Sequence, residues 1–174
     1  MSASLVGSEM CIRDRSKAFK LNAKTNGNGK LTYTTSNKAV ATVDAAGKVT
    51  VKGPGVAKIT VKAAATTDYK AASKTVTVTV APKKQSISLI NKIKKQLTIK
   101  WKKNTKASGY QVVYSTNKKF TGKKTVRKAK TTTSYKIKGL KKGKKYYVKV
   151  RSYKTVNGKR IYGAYSTAKK ATIK

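Results

Sequence analysis

Apolar and polar residues alternate with a period of two along much of the chain. Leu31, Tyr33 and Thr35 alternate with Thr32 and Thr34, and Val49 and Val51 with Lys48, Thr50 and Lys52. Ala57, Ile59, Val61 and Ala63 alternate with Lys58, Thr60 and Lys62, and Val76, Val78 and Val80 with Thr75, Thr77 and Thr79. Successive side chains of a strand point to opposite faces, so each segment predicts a half-buried strand with a Thr/Lys face to water. Thr and Val dominate, as pleated half-buried surfaces prefer. Turn signals separate the segments at Asn26-Gly27-Asn28-Gly29, Ala46-Gly47 and Gly53-Pro54-Gly55. No ten-residue stretch carries a helical stripe.

At Ala81-Pro82-Lys83-Lys84 a proline that cannot extend a ladder meets a jump in charge. Beyond it the alternation resumes. Leu97, Ile99 and Trp101 alternate with Thr98, Lys100 and Lys102. Tyr110, Val112 and Tyr114 share one face. Tyr146, Val148 and Val150 share another, with Lys145, Tyr147, Lys149 and Arg151 opposite. Asn157-Gly158 predicts a tight hairpin turn between strands at 150–156 and 160–165. Short strands at regular spacing predict an all-β chain of two tandem sandwiches, at 16–82 and 83–174.

Composition then removes whole classes of chemistry. The 174 residues include 43 Lys plus Arg, no His and four acids, Glu9, Asp14, Asp44 and Asp68. Without His there is no Ser–His–Asp or Cys–His arrangement, and scattered acids do not make a carboxylate pair for acid–base work. One Cys and no His exclude a zinc site, and the acids are too few for a calcium loop. No Gly-rich phosphate loop is present. No catalytic residue, metal or cofactor is expected. Cys11 stands alone, so no intrachain disulfide forms.

Residues 4–15 read Ser-Leu-Val-Gly-Ser-Glu-Met-Cys-Ile-Arg-Asp-Arg. The charges follow the apolar residues instead of preceding them, so this is not a signal peptide, and no signal peptide is present in this fragment. The string resembles the translation of a sequencing adapter. Residues 1–15 are therefore expected to form a disordered, artefactual leader outside the fold. No apolar run is long enough for a transmembrane helix.

Two family resemblances sharpen the fold. The run 33–44 (Tyr-Thr-Thr-Ser-Asn-Lys-Ala-Val-Ala-Thr-Val-Asp), then Gly47-Lys48-Val49-Thr50 and Gly55-Val56-Ala57-Lys58-Ile59-Thr60-Val61, resembles the bacterial immunoglobulin-like group 2 domain over about 19–80, with its first strand missing or overwritten. Residues of about 85–173 resemble a fibronectin type III domain. Trp101 stands where that family buries a tryptophan, and Leu140-Lys141-Lys142-Gly143-Lys144-Lys145-Tyr146 resembles its tyrosine corner, with Lys142 where a proline is frequent. The resemblance implies two tandem immunoglobulin-like β-sandwiches in which Trp101, Leu140 and Tyr146 are structural core. It also implies a non-catalytic module of a larger extracellular or surface-attached bacterial protein.

Charge points further. Residues 16–82 hold eleven Lys and two Asp, a net of +9, whereas residues 83–174 hold thirty Lys plus Arg and no acid. Such a surface exceeds the ordinary needs of solubility and is expected to seek polyanions. Candidate clusters are Lys100/Lys102/Lys103, Lys118/Lys119/Lys123/Lys124, Arg127/Lys128 and Lys141/Lys142/Lys144/Lys145. A stripe of Lys149 and Arg151 interleaves with Tyr147 and Tyr153. That stripe could stack sugars while cations hold anionic groups, or the tyrosines could simply support cross-strand pairs. The expected partner is an anionic cell-wall polymer of teichoic acid type or an acidic glycan, held by a monomer at the bacterial surface as spacer and attachment. Two alternatives stand beside it: a passive accessory spacer of a lost secreted enzyme, and non-specific nucleic-acid binding.

Overall fold

The computed structural model describes residues 18–25 and 28–174, together with the backbone of residues 9–12. Every regular element among them is a strand, and the chain divides into two compact units, Met1–Ala81 and Pro82–Lys174. The architecture is all-β, as the alternation predicts.

The first unit comprises β1 (Glu9–Ile12), β2 (Phe19–Lys20), β3 (Leu31–Thr35), β4 (Ala41–Val43), β5 (Lys48–Val51), β6 (Gly55–Ala63) and β7 (Ala72–Val80). One sheet has the order β1-β7-β6-β3 and the other β2-β5-β4. Val40, Ala41, Val49, Ala57, Ile59, Val76, Val78 and Val80 form the core between them. These are the apolar positions of the alternation, and their Thr and Lys neighbours face outward. The β4–β5 turn is wound by Asp44, whose Oδ1 accepts the N–H groups of Ala46 (3.0 Å) and Lys48 (2.9 Å). Gly47 adopts φ +77° there, and a side chain at that position would collide with the ring of Tyr33. This acid therefore serves a turn.

The leader expectation needs correction at four residues. Residues 9–12 form β1, which pairs in parallel with Thr77–Val80 of β7. The exposed edge of a long strand offers unpaired backbone groups, and any extended segment with free donors and acceptors can satisfy them whatever its side chains. The remainder of the leader, and Asn26-Gly27 of the first turn signal, lie outside the described residues.

The second unit comprises β8 (Ile87–Ile90), β9 (Leu97–Trp101), β10 (Gly109–Ser115), β11 (Lys124–Ala129), β12 (Ser134–Ile137), β13 (Lys145–Val156), β14 (Lys159–Tyr162) and β15 (Lys169–Thr172). Its sheets are β12-β9-β8 and β11-β10-β13-β14, with β15 also paired to β13. The core holds Ile87, Leu97, Ile99, Trp101, Tyr110, Val112, Ile137, Leu140, Val148, Val150 and Ile173. Trp101 lies 5.3 Å from the ring of Tyr110, whose hydroxyl accepts the Asn104 N–H at 2.6 Å. Tyr146 is half-buried against this core, and its hydroxyl accepts the Lys141 N–H at 3.4 Å, tying down the β12–β13 connection beside buried Leu140. Asn157 (φ 48°) and Gly158 (φ 75°) form the tight turn between β13 and β14, both in the left-handed region that their sequence favours. The hairpin's second strand is shorter than its pattern suggests. It ends at Tyr162, and the following chain stays beside β13, where Gly163 N–H donates to Ser152 O (2.9 Å) and Ser166 N–H to Val150 O (2.7 Å).

Candidate functional site

The second unit faces an electrostatic problem set by its sequence. It carries thirty cationic side chains and no carboxylate side chain, so the negative partners within it are backbone and side-chain oxygens and the faces of aromatic rings. Both are used on the outward face of the β11-β10-β13-β14 sheet.

Register assembles that face in rows. Gln111 of β10 stands between Arg127 of β11 and Arg151 of β13. Val113 stands between Thr125 and Lys149, and Gly109 pairs with Tyr153, which in turn pairs with Tyr162 of β14. Ser115 pairs with Tyr147, which pairs with Lys170 of β15. A half-solvated sheet would leave the outward residues of β10 wet. Here Gln111, Val113 and Ser115 are all buried, Val113 completely.

A ladder of alternating rings and cations runs across the face. The Lys149 Nζ lies 4.0 Å from the ring centre of Phe120 and 4.5 Å from that of Tyr165. The Arg151 guanidinium lies 4.3 Å from Tyr165 and 3.9 Å from Tyr162. Tyr162 is 5.7 Å from Tyr153, over which Arg160 sits at 5.6 Å. Gln111 fastens the centre: its Oε1 accepts Arg151 Nε–H at 2.6 Å and the Tyr165 hydroxyl at 3.0 Å. With Lys128 over Tyr135 at 4.2 Å, six cation–ring contacts are described in this unit. Energetically significant ones ordinarily occur about once per 70–80 residues, so the rings stand in for missing carboxylates.

Local turns hold the ladder's ends. In the β10–β11 connection Ser115 Oγ donates to Thr121 O (2.8 Å) and accepts Asn117 N–H (3.0 Å), while Asn117 Oδ1 accepts Lys119 N–H (2.7 Å). The winding puts Phe120 in the left-handed region at φ 61° and buries it. At the other end the Tyr153 ring covers Gly109, where a side chain would collide with its hydroxyl. Partial burial, then the neighbouring charges of Lys123 and Arg151, hold the Lys149 amine below its ordinary range. Burial, then Tyr135 and Tyr146, push the Tyr114 phenol up.

Of the candidates read from sequence, Arg127, Lys149, Arg151, Tyr147 and Tyr153 meet on this face. Lys123 is close enough to act on Lys149 electrostatically. Lys118 and Lys119 sit in the connection that seats Phe120. Lys124 and Lys128 alternate to the other side of β11, paired with Tyr114 and Tyr110. Lys100 belongs to β9 of the opposite sheet, and Lys102 and Lys103 follow it. Lys141, Lys142 and Lys144 are exposed in the β12–β13 connection, with Lys145 opening β13. The lysine clusters are thus dispersed around the unit. Gln111, Phe120, Arg160, Tyr162 and Tyr165 were missed. The one available signal is composition: residues 83–174 hold no acid, so their cations must find other partners. No group of three or more His, Cys, Asp or Glu side chains gathers among the described residues.

Comparisons with known proteins agree with this architecture. The model of the intimin immunoglobulin-like domain matches residues 14–66, and that of the fibronectin type III domain matches residues 80–167, just over half of the 174-residue chain. No curated protein matches the chain. Similar solved structures include a computationally redesigned β-sandwich protein, at 14% identity over 52% of this chain and 93% of that one, TM-score 0.44. A structure described as a myokine shares 15% identity over 53% of this chain and 98% of that one, TM-score 0.43. The sixth fibronectin type III domain of human fibronectin type III domain containing protein 3 shares 15% identity over 53% and 85%, TM-score 0.44. Domains of the two matched kinds are common in extracellular proteins and are typically non-catalytic scaffolds. No helix among the described residues is long and apolar enough to cross a membrane. The order read from sequence, an immunoglobulin-like domain and then a fibronectin type III domain, holds, and the chain belongs to the fibronectin type III family, with an intimin-type immunoglobulin-like domain in front.

Proposed function

We propose that the chain is a non-catalytic module of an extracellular bacterial protein, acting as a spacer whose second unit attaches electrostatically to an anionic surface polymer. The observation that carries this reading is the charge of residues 83–174, thirty cations without one acid. Lysines dispersed around the unit suit a mobile, irregular polyanion, because each is a solvated point charge on a flexible stem. Association with such a polymer releases condensed counterions and weakens as salt is added.

Co-sedimentation of the full chain with Gram-positive cell walls, intact and stripped of teichoic acid, tests the proposal. Binding to intact walls that is lost on stripping and weakened by salt supports it. Failure to sediment with either preparation at low salt sinks it and favours the passive spacer. The spacer reading has its own support in the ladder, since Tyr153, Tyr162 and Tyr165 already serve the sheet's own cations.

A further inference from the structure

Lysines on mobile stems account for adhesion but not for selectivity. The ladder face differs from the rest of the surface because its cations are fixed. Arg151 is gripped by Gln111 through Nε and stacked on two rings, so its orientation is set before any ligand arrives. Lys149 is held between Phe120 and Tyr165. These two residues are i and i+2 on β13 and face the same way, so their Cα atoms are about 6.8 Å apart. Arg127 continues the row across Gln111. No carboxylate side chain of the second unit is available to neutralise any of them.

We propose that Lys149 and Arg151 form a two-point seat for consecutive phosphates of a polyol phosphodiester chain, with Arg127 as a flanking third cation. This rests on the polyanion reading above and names its ligand class. In a chain whose phosphates are joined through three carbons, six bonds separate the phosphorus atoms, a span of about 7 Å at bond lengths near 1.5 Å. That repeat is close to the about 6.8 Å between the two residues along the strand, and both cations lie against the same Tyr165 ring. Nucleic acid has the same six-bond repeat, but sequence-tolerant binding of single strands relies on aromatic faces on which bases stack. Here Phe120, Tyr153, Tyr162 and Tyr165 are engaged with cations, so a chain without bases fits better. Partial burial first, and then the like charges of Lys123 and Arg151, lower the affinity of Lys149 for its proton, and no carboxylate side chain of the second unit supplies a counter-charge. Each phosphate would supply one, and the bonds to a fixed guanidinium are charge-assisted.

The test measures dissociation constants of the full chain for three probes at one ionic strength: a synthetic poly(glycerol phosphate) oligomer, a single-stranded oligonucleotide with the same number of phosphates, and polygalacturonate of the same charge. The variant Lys149→Gln/Arg151→Gln is compared with Lys141→Gln/Lys142→Gln, which removes equal charge elsewhere. Arg151→Lys keeps the charge while losing the fork held by Gln111. The expected results are tightest binding to poly(glycerol phosphate), about tenfold weakening in the ladder variant, and only about twofold weakening in the control. Arg151→Lys, with its unfolding midpoint checked, is expected to fall between them. Equal losses in the two double variants, or an Arg151→Lys protein that binds like the parent, overturn the seat and leave electrostatic attachment standing. Tighter binding to the oligonucleotide overturns the choice of polymer. Absence of binding to all three probes overturns the underlying reading as well.

Discussion

Arg151 donates its Nε–H to the Oε1 of Gln111 at 2.6 Å across the β10–β13 pair, and the same oxygen accepts the hydroxyl of Tyr165 at 3.0 Å. A single amide oxygen thereby orders the most constrained cation of a module that has no carboxylate side chain. Removing it leaves two donors without their acceptor near a buried position. Gln111→Leu is expected to lower unfolding free energy by about 1–3 kcal/mol in urea titrations. Gln111→Glu supplies the missing charge and is expected to raise stability at low salt by up to about 1 kcal/mol. It should also weaken polymer binding, because it neutralises the seat. A Gln111→Glu protein that is less stable than the parent at low salt would show that desolvating the carboxylate outweighs its pairing.

Self-repulsion should govern the stability of the second unit. Thirty like charges without acids oppose compaction, and salt screens them over about 10 Å at 0.1 M. Trp101 is the chain's sole tryptophan and sits in the core of this unit, so its fluorescence reports that unit alone. The melting midpoint followed by Trp101 is expected to rise by several degrees between 10 mM and 0.5 M NaCl, each kcal/mol corresponding to about 4–8 °C in a domain of this size. A midpoint that is flat or falls with salt would mean that the rings and oxygens compensate the charge more fully than the ladder suggests.

Two groups set opposite alkaline trends. Lys149 is held below its ordinary 10.5 by partial burial first and then by Lys123 and Arg151. Its protonated form therefore costs stability below the folded value. That cost is relieved as pH climbs from the folded value to 10.5, where the unfolded chain binds the extra proton. Tyr114 is raised above 10.0, by burial first and then by Tyr135 and Tyr146. Its contribution is intact below 10.0 and is lost as pH rises from there through the folded value. Urea midpoints between pH 8 and 11 are expected to rise less in Lys149→Gln than in the parent, and to fall less beyond pH 10 in Tyr114→Phe. Profiles superimposable on the parent's would remove both assignments.

The β1 pairing makes a separate claim about the first unit. Residues 9–12 cover the Thr77–Val80 edge of β7. An uncovered edge presents a ladder to other chains. Deleting residues 1–17 is expected to lower the stability of this unit and to promote self-association, seen as faster-sedimenting species in velocity ultracentrifugation. A deletion variant that sediments as a monomer with an unchanged melt would show that β1 contributes nothing to the edge.

What could be read in advance follows from what alternation encodes. Period two fixes which side of a strand a residue takes, so Leu97, Ile99, Val148 and Val150 were placed inward and Lys149, Arg151, Tyr147 and Tyr153 outward. Asn157-Gly158 announced its turn because both positions need positive φ. Alternation does not encode register across strands, so nothing in the sequence put Gln111 between Arg127 and Arg151. Phe120 lay in a polar connection, and its burial depends on a turn wound by Ser115 and Asn117. Tyr165 reads as part of a strand, but β14 ends at Tyr162 and Tyr165 lies in the segment that joins it to β15. Lys169–Thr172 opens on two lysines and shows only the short alternation of Ala171 and Ile173, and it pairs as β15 along the edge of β13. The leader's adapter-like string argues for a segment outside the fold, whereas strand pairing at residues 9–12 needs only backbone groups.

Electrostatic attraction to a phosphate-rich polymer, with no contribution from bare aromatic stacking, is the attachment we propose for this module. Its most direct test is the affinity of the full chain for poly(glycerol phosphate) across a salt series. Log K is expected to fall linearly with log salt, with a slope reflecting several phosphates neutralised at once. An affinity indifferent to salt, or no binding at the lowest salt, would contradict it.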